Sequence, residues 1–376
     1  MLVRSTYRVA RGASLHRSGP AGPQNAESGL RNLSRGNEHG DPASRPSIVG
    51  HPRVWENGPV LHTPGESPPV LPSKDLVIAV VGPTAAGKSD LGVALAQALD
   101  GEVVNADSMQ LYRGMDIGTA KLATDERRGV PHHLLDIWDV TEAASVAEYQ
   151  RLARAEIDRL HAAGRTPVLV GGSGLYVRGA IDALEFPGTD AAVRARLEAE
   201  LAERGPAALH ARLAAVDPEA GRAILPSNGR RIVRALEVVE ITGRPFTANL
   251  PGPDSIYGTV QIGVDVPRPE LDERIALRVD RMWDAGLVDE VRELEEAGLR
   301  EGRTASRALG YQQVLAALVG DCTDEEARAE TVRATKRFAR RQDSWFRRDQ
   351  RVHWLSARGP ELTDQALTLV EAAVTA

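Results

Sequence analysis

Leu76-Val77-Ile78-Ala79-Val80-Val81, running directly into Gly82-Pro83-Thr84-Ala85-Ala86-Gly87-Lys88-Ser89, decides the fold. Six consecutive apolar residues without alternation mark a strand covered on both faces, as in a parallel sheet between helical layers. Beyond the glycine turn, Leu91, Leu95 and Leu99 recur every four residues and Gly101 stops them, so a helix follows. Strand, turn and helix together frame a complete G-x-x-x-x-G-K-[ST]. Its glycines let backbone N–H groups converge on phosphate oxygens, the helix N-terminus adds a favourable dipole, and Lys88 neutralises charge. Ser89 can ligate Mg²⁺. The motif predicts a bound di- or triphosphate and does not identify what is attached to it.

Outward from this unit the α/β alternation continues. Val103 and Val104 begin a second short strand. Thr166 to Val170 is a third, entering Gly171-Gly172-Ser173-Gly174, and Val260 to Val266 alternates like a half-exposed strand. Between the last two, residues 189–225 carry Ala, Arg, Glu and Leu at helical spacing, bounded by Pro187-Gly188 and Pro226. The predicted organisation is a first core part over 74–181, a helical insertion over 182–228, core completion with a helical C-terminal part over 229–356, and a tail helix over 357–376. The fold class is α/β: a P-loop core with a parallel sheet. Residues 1–73, rich in Gly, Pro, Ser, Asn and Arg, read as a disordered extension. Arg4, Arg8, Arg11 and Arg17 precede the first acid, Glu27, which gives that stretch a faint likeness to an organellar transit peptide, a misassigned start being the alternative.

Composition narrows the function classes. In 376 residues the formal charge is −6, which argues against an overall basic surface without excluding a local basic face. Cys322 is the single cysteine, so thiolate metal clusters, disulfide scaffolds and thiol redox centres are excluded. No apolar run approaches the about 18 residues that span a bilayer. A cytoplasmic protein is expected. Asp107 closes Glu102-Val103-Val104-Asn105-Ala106-Asp107, where ligands sit at the carboxyl edge of an open α/β sheet. It could be a metal ligand, a general base, or an aspartate capping a turn. Asp136 ends a second short apolar stretch, and His132-His133 before it point in different directions on any regular element, which disfavours a metal pair.

Several strings now add up to a family. Gly82 to Ser89, the run Asp107-Ser108-Met109-Gln110-Leu111-Tyr112-Arg113-Gly114-Met115-Asp116-Ile117-Gly118-Thr119-Ala120-Lys121, and Pro131 to Asp136 closely resemble the tRNA dimethylallyltransferases. Gly171 to Tyr176, Arg230 to Glu237, Arg307 to Gln313 and Arg340 to Trp345 follow in the family's order, so the resemblance covers about residues 76–356. It implies transfer of a dimethylallyl group from dimethylallyl diphosphate to N6 of adenosine 37, in tRNAs reading codons that begin with U. Mg²⁺ is the implied cofactor, with Ser89 as its ligand. Asp107 would be the general base or the acceptor orienting N6, while Thr84 and Arg307 would join the diphosphate site. Ser173 stands where the family usually has Thr and keeps the hydroxyl. Asp107, Ser173 and Arg307 form the implied catalytic set. The implied tRNA contacts are Asp107, Ser108, Met109, Gln110, Ser173, Arg194, Arg230, Arg231, Ile232, Val233, Arg234, Arg340, Arg341, Gln342, Trp345 and Arg347. Family members use the insertion to grip the anticodon stem-loop. A monomer is expected.

The basic residues bear on the acceptor. Arg333, Lys336, Arg337, Arg340, Arg341, Arg347, Arg348 and Arg351 face only Asp343 and Asp349 in that stretch, with Trp345 and Phe346 interleaved. Such a run on a helix is usually a solvated face, and the family likeness makes RNA contact the better reading. The alternatives are an adenylate isopentenyltransferase acting on free AMP, ADP or ATP, a P-loop small-molecule kinase, and an RNA-binding NTPase switch. The insertion and the basic helix favour tRNA over free nucleotides.

Overall fold

A computed structural model describes residues 76–246, 254–359 and 361–375; the expected N-terminal extension over 1–73 lies outside them. Strand β1 (Leu76–Val81) is buried at every position, and its alternate side chains feed two separate cores. Leu76, Ile78 and Val80 meet helices α1 (Lys88–Ala98), α7 (Arg268–Asp284) and α11 (Leu362–Thr375), the last being the expected tail helix. Val77, Ala79 and Val81 meet α2 (Val146–Ala162) and α3 (Gly174–Ile181) on the opposite face. That two-sided burial explains the unbroken apolar run.

The sheet has six strands in the order β3-β2-β4-β1-β5-β6, where β2 is Gly101–Asn105, β3 His132–His133, β4 Thr166–Val170, β5 Gly258–Asp265 and β6 Val352–Ser356. Every pairing is parallel. The carboxyl ends of β1, β2 and β4 therefore lie side by side, carrying the P-loop, Asp107 and the Gly171–Gly174 turn to one edge. Two expectations are corrected. β5 is buried from Val260 to Val264 rather than half-exposed, because β1 and β6 flank it; β6 itself has no distinct signal in the sequence. Gly101 is already in β2, packed with its Cα against Thr166, and α1 ends earlier through Asp100 at φ 49°.

The insertion is larger than the expected 182–228. Helix α4 (Ala191–Val216) is broken at Gly205, whose φ of 76° and ψ of 166° are not helical, and α5 (Pro218–Ala223) follows. Helix α6 (Gly229–Thr242), expected to belong to the core, instead completes this unit: Ile232, Val233 and Leu236 pack with Leu197, Leu209, Leu213 and Ile224. An apolar helix face goes where partners exist, and here the partners are α4 and α5. The stems of the insertion are zipped together, with Ala183 N–H donating to Asp254 O at 2.9 Å and Ile256 N–H to Ile181 O at 2.8 Å.

Helix α8 (Leu287–Glu296), a short 3₁₀ turn (Ala305–Arg307) and α9 (Tyr311–Leu318) form a further core around Tyr112 and Met115. The basic segment is helix α10 (Asp324–Phe346), started by a capping box between Thr323 and Glu326. No described helix is long and apolar enough to cross a membrane.

Candidate active site

The P-loop turns tightly between β1 and α1, with Gly82 at φ 132°, Ala85 at 65° and Gly87 at 99°. Positive φ at these three positions lets the loop fold back into α1, whose first N–H groups have no carbonyl partner within the helix and so favour an anion. Lys88 Nζ donates to Pro83 O at 2.8 Å. Arg278 of α7, which no feature of the sequence singled out, donates Nη1 to Thr84 Oγ1 at 3.3 Å. A cavity of about 940 Å³ opens here, lined among others by Thr84, Lys88, Ser89, Asp107, Gln110 and Arg278. Two cations beside the N-terminus of α1 suit a diphosphate.

Asp107 lines the same cavity and acts electrostatically on both Lys88 and Arg278. Asn105 accepts the Asp107 N–H at 2.8 Å and donates Nδ2 to Asp107 O and Leu134 O, both at 3.0 Å, so the strand end is pinned. Asp107 Oδ1 accepts the Met109 N–H at 3.0 Å, an Asx turn, while Oδ2 has no hydrogen bond from the described residues. The turn-capping reading and the chemical reading thus concern different oxygens. Ser173 Oγ accepts the Ser108 N–H at 3.1 Å and shares a 3.2 Å hydrogen bond with Ser108 Oγ, tying the glycine turn to the segment after Asp107.

Residues 110–349 match the family model described as IPP transferase. The chain belongs to this family. A Streptomyces avermitilis relative named tRNA dimethylallyltransferase is 82% identical over 308 residues, covering 81% of this chain and 99% of the relative. The full-length tRNA isopentenylpyrophosphate transferase of Bacillus halodurans is similar in structure at 41% identity and a TM-score of 0.61, covering 81% of this chain and 97% of that one. A eukaryotic dimethylallyltransferase described as acting on tRNA gives a TM-score of 0.69 at 25% identity, over 80% of this chain and 78% of that one.

In this IPP transferase the candidate residues divide by location. Thr84, Lys88, Ser89, Asp107 and Gln110 line the cavity, whereas Arg307 is exposed on the 3₁₀ turn and does not. Gln342, expected to touch RNA, is buried: its Oε1 accepts the Thr84 N–H at 2.9 Å and its Nε2 donates to Gly172 O at 3.0 Å, clipping the P-loop to the glycine turn. Ile232 and Val233 are core residues of the insertion. Arg194 and Arg234 both pair with the fully buried Glu237, Arg234 at 2.9 Å, so both are engaged inside the protein, with one carboxylate shared between two guanidiniums. Arg347 pairs with Asp265 and Asp343 and lies over the Trp354 ring at 4.1 Å. Arg230, Arg231, Arg340, Arg341 and Trp345 are exposed. The two histidines form no metal pair: His133 is held between Glu102 and Glu156 at 2.6 and 2.9 Å, while His132 contacts Val130 O.

Lys88 gives the phosphate wall a pH signature. Burial pushes its ammonium down to about 8 from 10.5, with Asp107 opposing the shift and Arg278 adding to it. A bound diphosphate supplies the missing counter-charge, so affinity should weaken as pH rises through about 8, and binding at pH 8 should take up about half a proton. Titration calorimetry with inorganic diphosphate in buffers of different ionisation enthalpy measures this uptake, and Lys88→Met should abolish it. Uptake that persists in Lys88→Met would assign the proton to another group. For folding the sign is fixed by the same shift. The unfolded chain binds the extra proton between about 8 and 10.5, so the Lys88 penalty is present in full below that window and relaxes as pH rises through it.

Proposed function

We propose that the chain transfers the dimethylallyl group of dimethylallyl diphosphate to N6 of adenosine 37 in tRNA. The observation that carries this reading is one cavity that gathers the P-loop, the cations Lys88 and Arg278, and a pinned carboxylate, Asp107, with an uncommitted oxygen. The bond from the allylic C1 to the diphosphate oxygen breaks as N6 bonds to C1, and the N6 proton passes to Asp107. An exocyclic adenine amine is a weak nucleophile because its lone pair is delocalised, so the proton acceptor must be placed before reaction. Backbone N–H groups, Lys88 and Arg278 meet the charge that develops on the departing diphosphate without reorganising.

Ser89 and Asp107 line that cavity, and among the described residues no group of three or more His, Cys, Asp or Glu could hold a metal ion alone. A hydroxyl and a carboxylate facing a diphosphate site fit Mg²⁺, which keeps most of its waters and shares its shell with substrate phosphates. We propose Ser89 as its protein ligand. When bound, Mg²⁺ neutralises leaving-group charge.

The acceptor side is read from α10 and the insertion, which present Arg340, Arg341, Trp345, Arg230 and Arg231 to solvent. A target adenine must leave its stack to reach the cavity, and exposed cations with a half-exposed indole can hold the backbone and bases around it. Arg340→Ala with Arg341→Ala should weaken tRNA binding and reduce its salt slope by about one to two units. An unchanged slope would make α10 an ordinary solvated face. The function itself is tested by incubating the protein with Mg²⁺, labelled dimethylallyl diphosphate and either unmodified tRNA carrying A36-A37-A38 or AMP, followed by nucleoside mass analysis. Label on adenosine 37 is expected. Label on AMP alone would transfer the chain to free-nucleotide chemistry, and ATP consumption without label on either acceptor would overturn prenyl transfer.

A further inference from the structure

The cavity wall formed by residues 116–122 is fastened from outside by a carboxylate that plays no part in the chemistry above. Glu290, on α8, accepts three consecutive backbone N–H groups: Asp116 at 3.1 Å and Ile117 at 2.7 Å on Oε2, and Gly118 at 3.2 Å on Oε1. Tyr311, buried at the start of α9, donates its hydroxyl to Glu290 Oε1 at 2.6 Å. Its ring lies so close to Gly118 that a Cβ there would stand 2.4 Å from Cε2. Two elements nearly two hundred residues downstream thus close on one short turn.

The turn needs holding. Ala120 sits at φ 52°, a left-handed conformation disfavoured for a residue with a Cβ, which persists when its surroundings over-determine it. Inside the cavity, Gln110 Nε2 donates to Thr119 O at 3.1 Å and Ala120 O at 3.3 Å. Lys121 Nζ reaches Asp136 at 2.6 Å and Tyr112 O at 3.1 Å, and also pairs with Asp116. Fixing the turn therefore fixes Gln110, three residues from Asp107, while no hydrogen bond joins the turn to the P-loop among the described residues.

We propose that Glu290, supported by Tyr311, is a positioning residue that sets the acceptor half of the cavity by latching the Asp116–Gly118 amides. The proposal rests on the prenyl-transfer reading for its kinetic consequence. A carboxylate accepting three N–H groups cannot be replaced by an amide without turning one acceptor into a donor. Acting through Gln110 rather than the phosphate wall, the latch controls turnover and acceptor fit and leaves diphosphate affinity alone.

The test compares wild type with Glu290→Ala, Glu290→Gln and Tyr311→Phe. Hydrogen exchange at the 116–118 amides should accelerate by about tenfold or more in Glu290→Ala while the β1 amides keep their protection. With tRNA as acceptor, kcat should fall about 10- to 100-fold in Glu290→Ala, less in Glu290→Gln and least in Tyr311→Phe, with the calorimetric Kd for inorganic diphosphate within about twofold throughout. A purely structural role would instead loosen the β1 amides and diphosphate binding together with the turn. Should Glu290→Ala not fold, Glu290→Gln and Tyr311→Phe still rank the effect. Unchanged exchange at 116–118, or kcat within about twofold of wild type in folded Glu290→Gln, overturns the latch. If wild type prenylates no tRNA, the functional reading fails instead, and the exchange arm still decides the latch.

Discussion

Asp107→Ala should lower turnover by about 10²- to 10⁴-fold while tRNA and diphosphate bind within a few fold of wild type. The reason lies in the division of labour between its two oxygens. Oδ1 is occupied by the Met109 N–H, so Oδ2 is the atom available to the N6 proton. Asp107→Asn sharpens the comparison: its Oδ1 still accepts from Met109, but the other position becomes a donor that cannot take a proton. Single-turnover prenylation with saturating tRNA isolates the chemical step, and filter binding reports affinity separately. A near wild-type single-turnover rate in Asp107→Asn would sink the base assignment and leave Asp107 as a turn residue. Because Asp107 partly offsets the burial that lowers Lys88, removing its charge should move the pH limit of diphosphate binding further down, a second effect a simple turn residue would not have.

The second large effect is expected from one methyl group. Gly171 follows β4 and lies against the chain just before Asp107; a Cβ there would stand 2.2 Å from both the carbonyl carbon and the oxygen of Ala106. Neither neighbour is a flexible side-chain end, so β2 and β4 must separate where their hydrogen-bonded register ends at Asn105 and Val170. Overpacking of this kind costs about 1–3 kcal/mol, and Gly171→Ala should lower Tm by several degrees. It should also reduce kcat/KM by about 100-fold, since Ala106 carries Asp107 with it. Thermal unfolding and initial rates on the same preparation check both. A Tm within about a degree of wild type would show that the strands separate freely there.

How far the sequence reveals this molecule depends on the range of the interactions involved. β1, the P-loop and α1 were legible because their signals are local: six apolar residues, two glycines at fixed spacing and leucines every four residues. Asp107 and the glycine turn were legible by their strand-end positions. The partners that complete the site were not. Arg278 lies among Arg274 and Arg281 on a helix that reads as an ordinary charged face, and only the fold brings it to Thr84 across 194 residues of chain. Gln342 sits in a basic, aromatic-interleaved run, where composition points to RNA; its burial against Thr84 and Gly172 is a tertiary fact. Arg194 and Arg234 belong to the same class, since a buried Glu237 claims both. Glu290 had no signal at all. β6 escapes because at the sheet edge His353 is exposed and Trp354 only partly buried, which gives no clean period. Helix α6 packs with the insertion rather than the core, because an amphipathic pattern reports that a face is buried and not against what.

The zipped stems of the insertion have a bearing on how this architecture can vary. Because Ile181–Ala183 and Asp254–Ile256 already run beside each other and exchange backbone hydrogen bonds, the insertion departs from the core after α3 and returns to it before β5 at one place. The described residues between, 184–246, form an excursion with its own apolar centre around Leu197, Leu213 and Leu236. Such an excursion is a cassette. It can lengthen, shorten or be exchanged without changing the order of the strands, so the surface beside the site can vary while the sheet edge stays untouched.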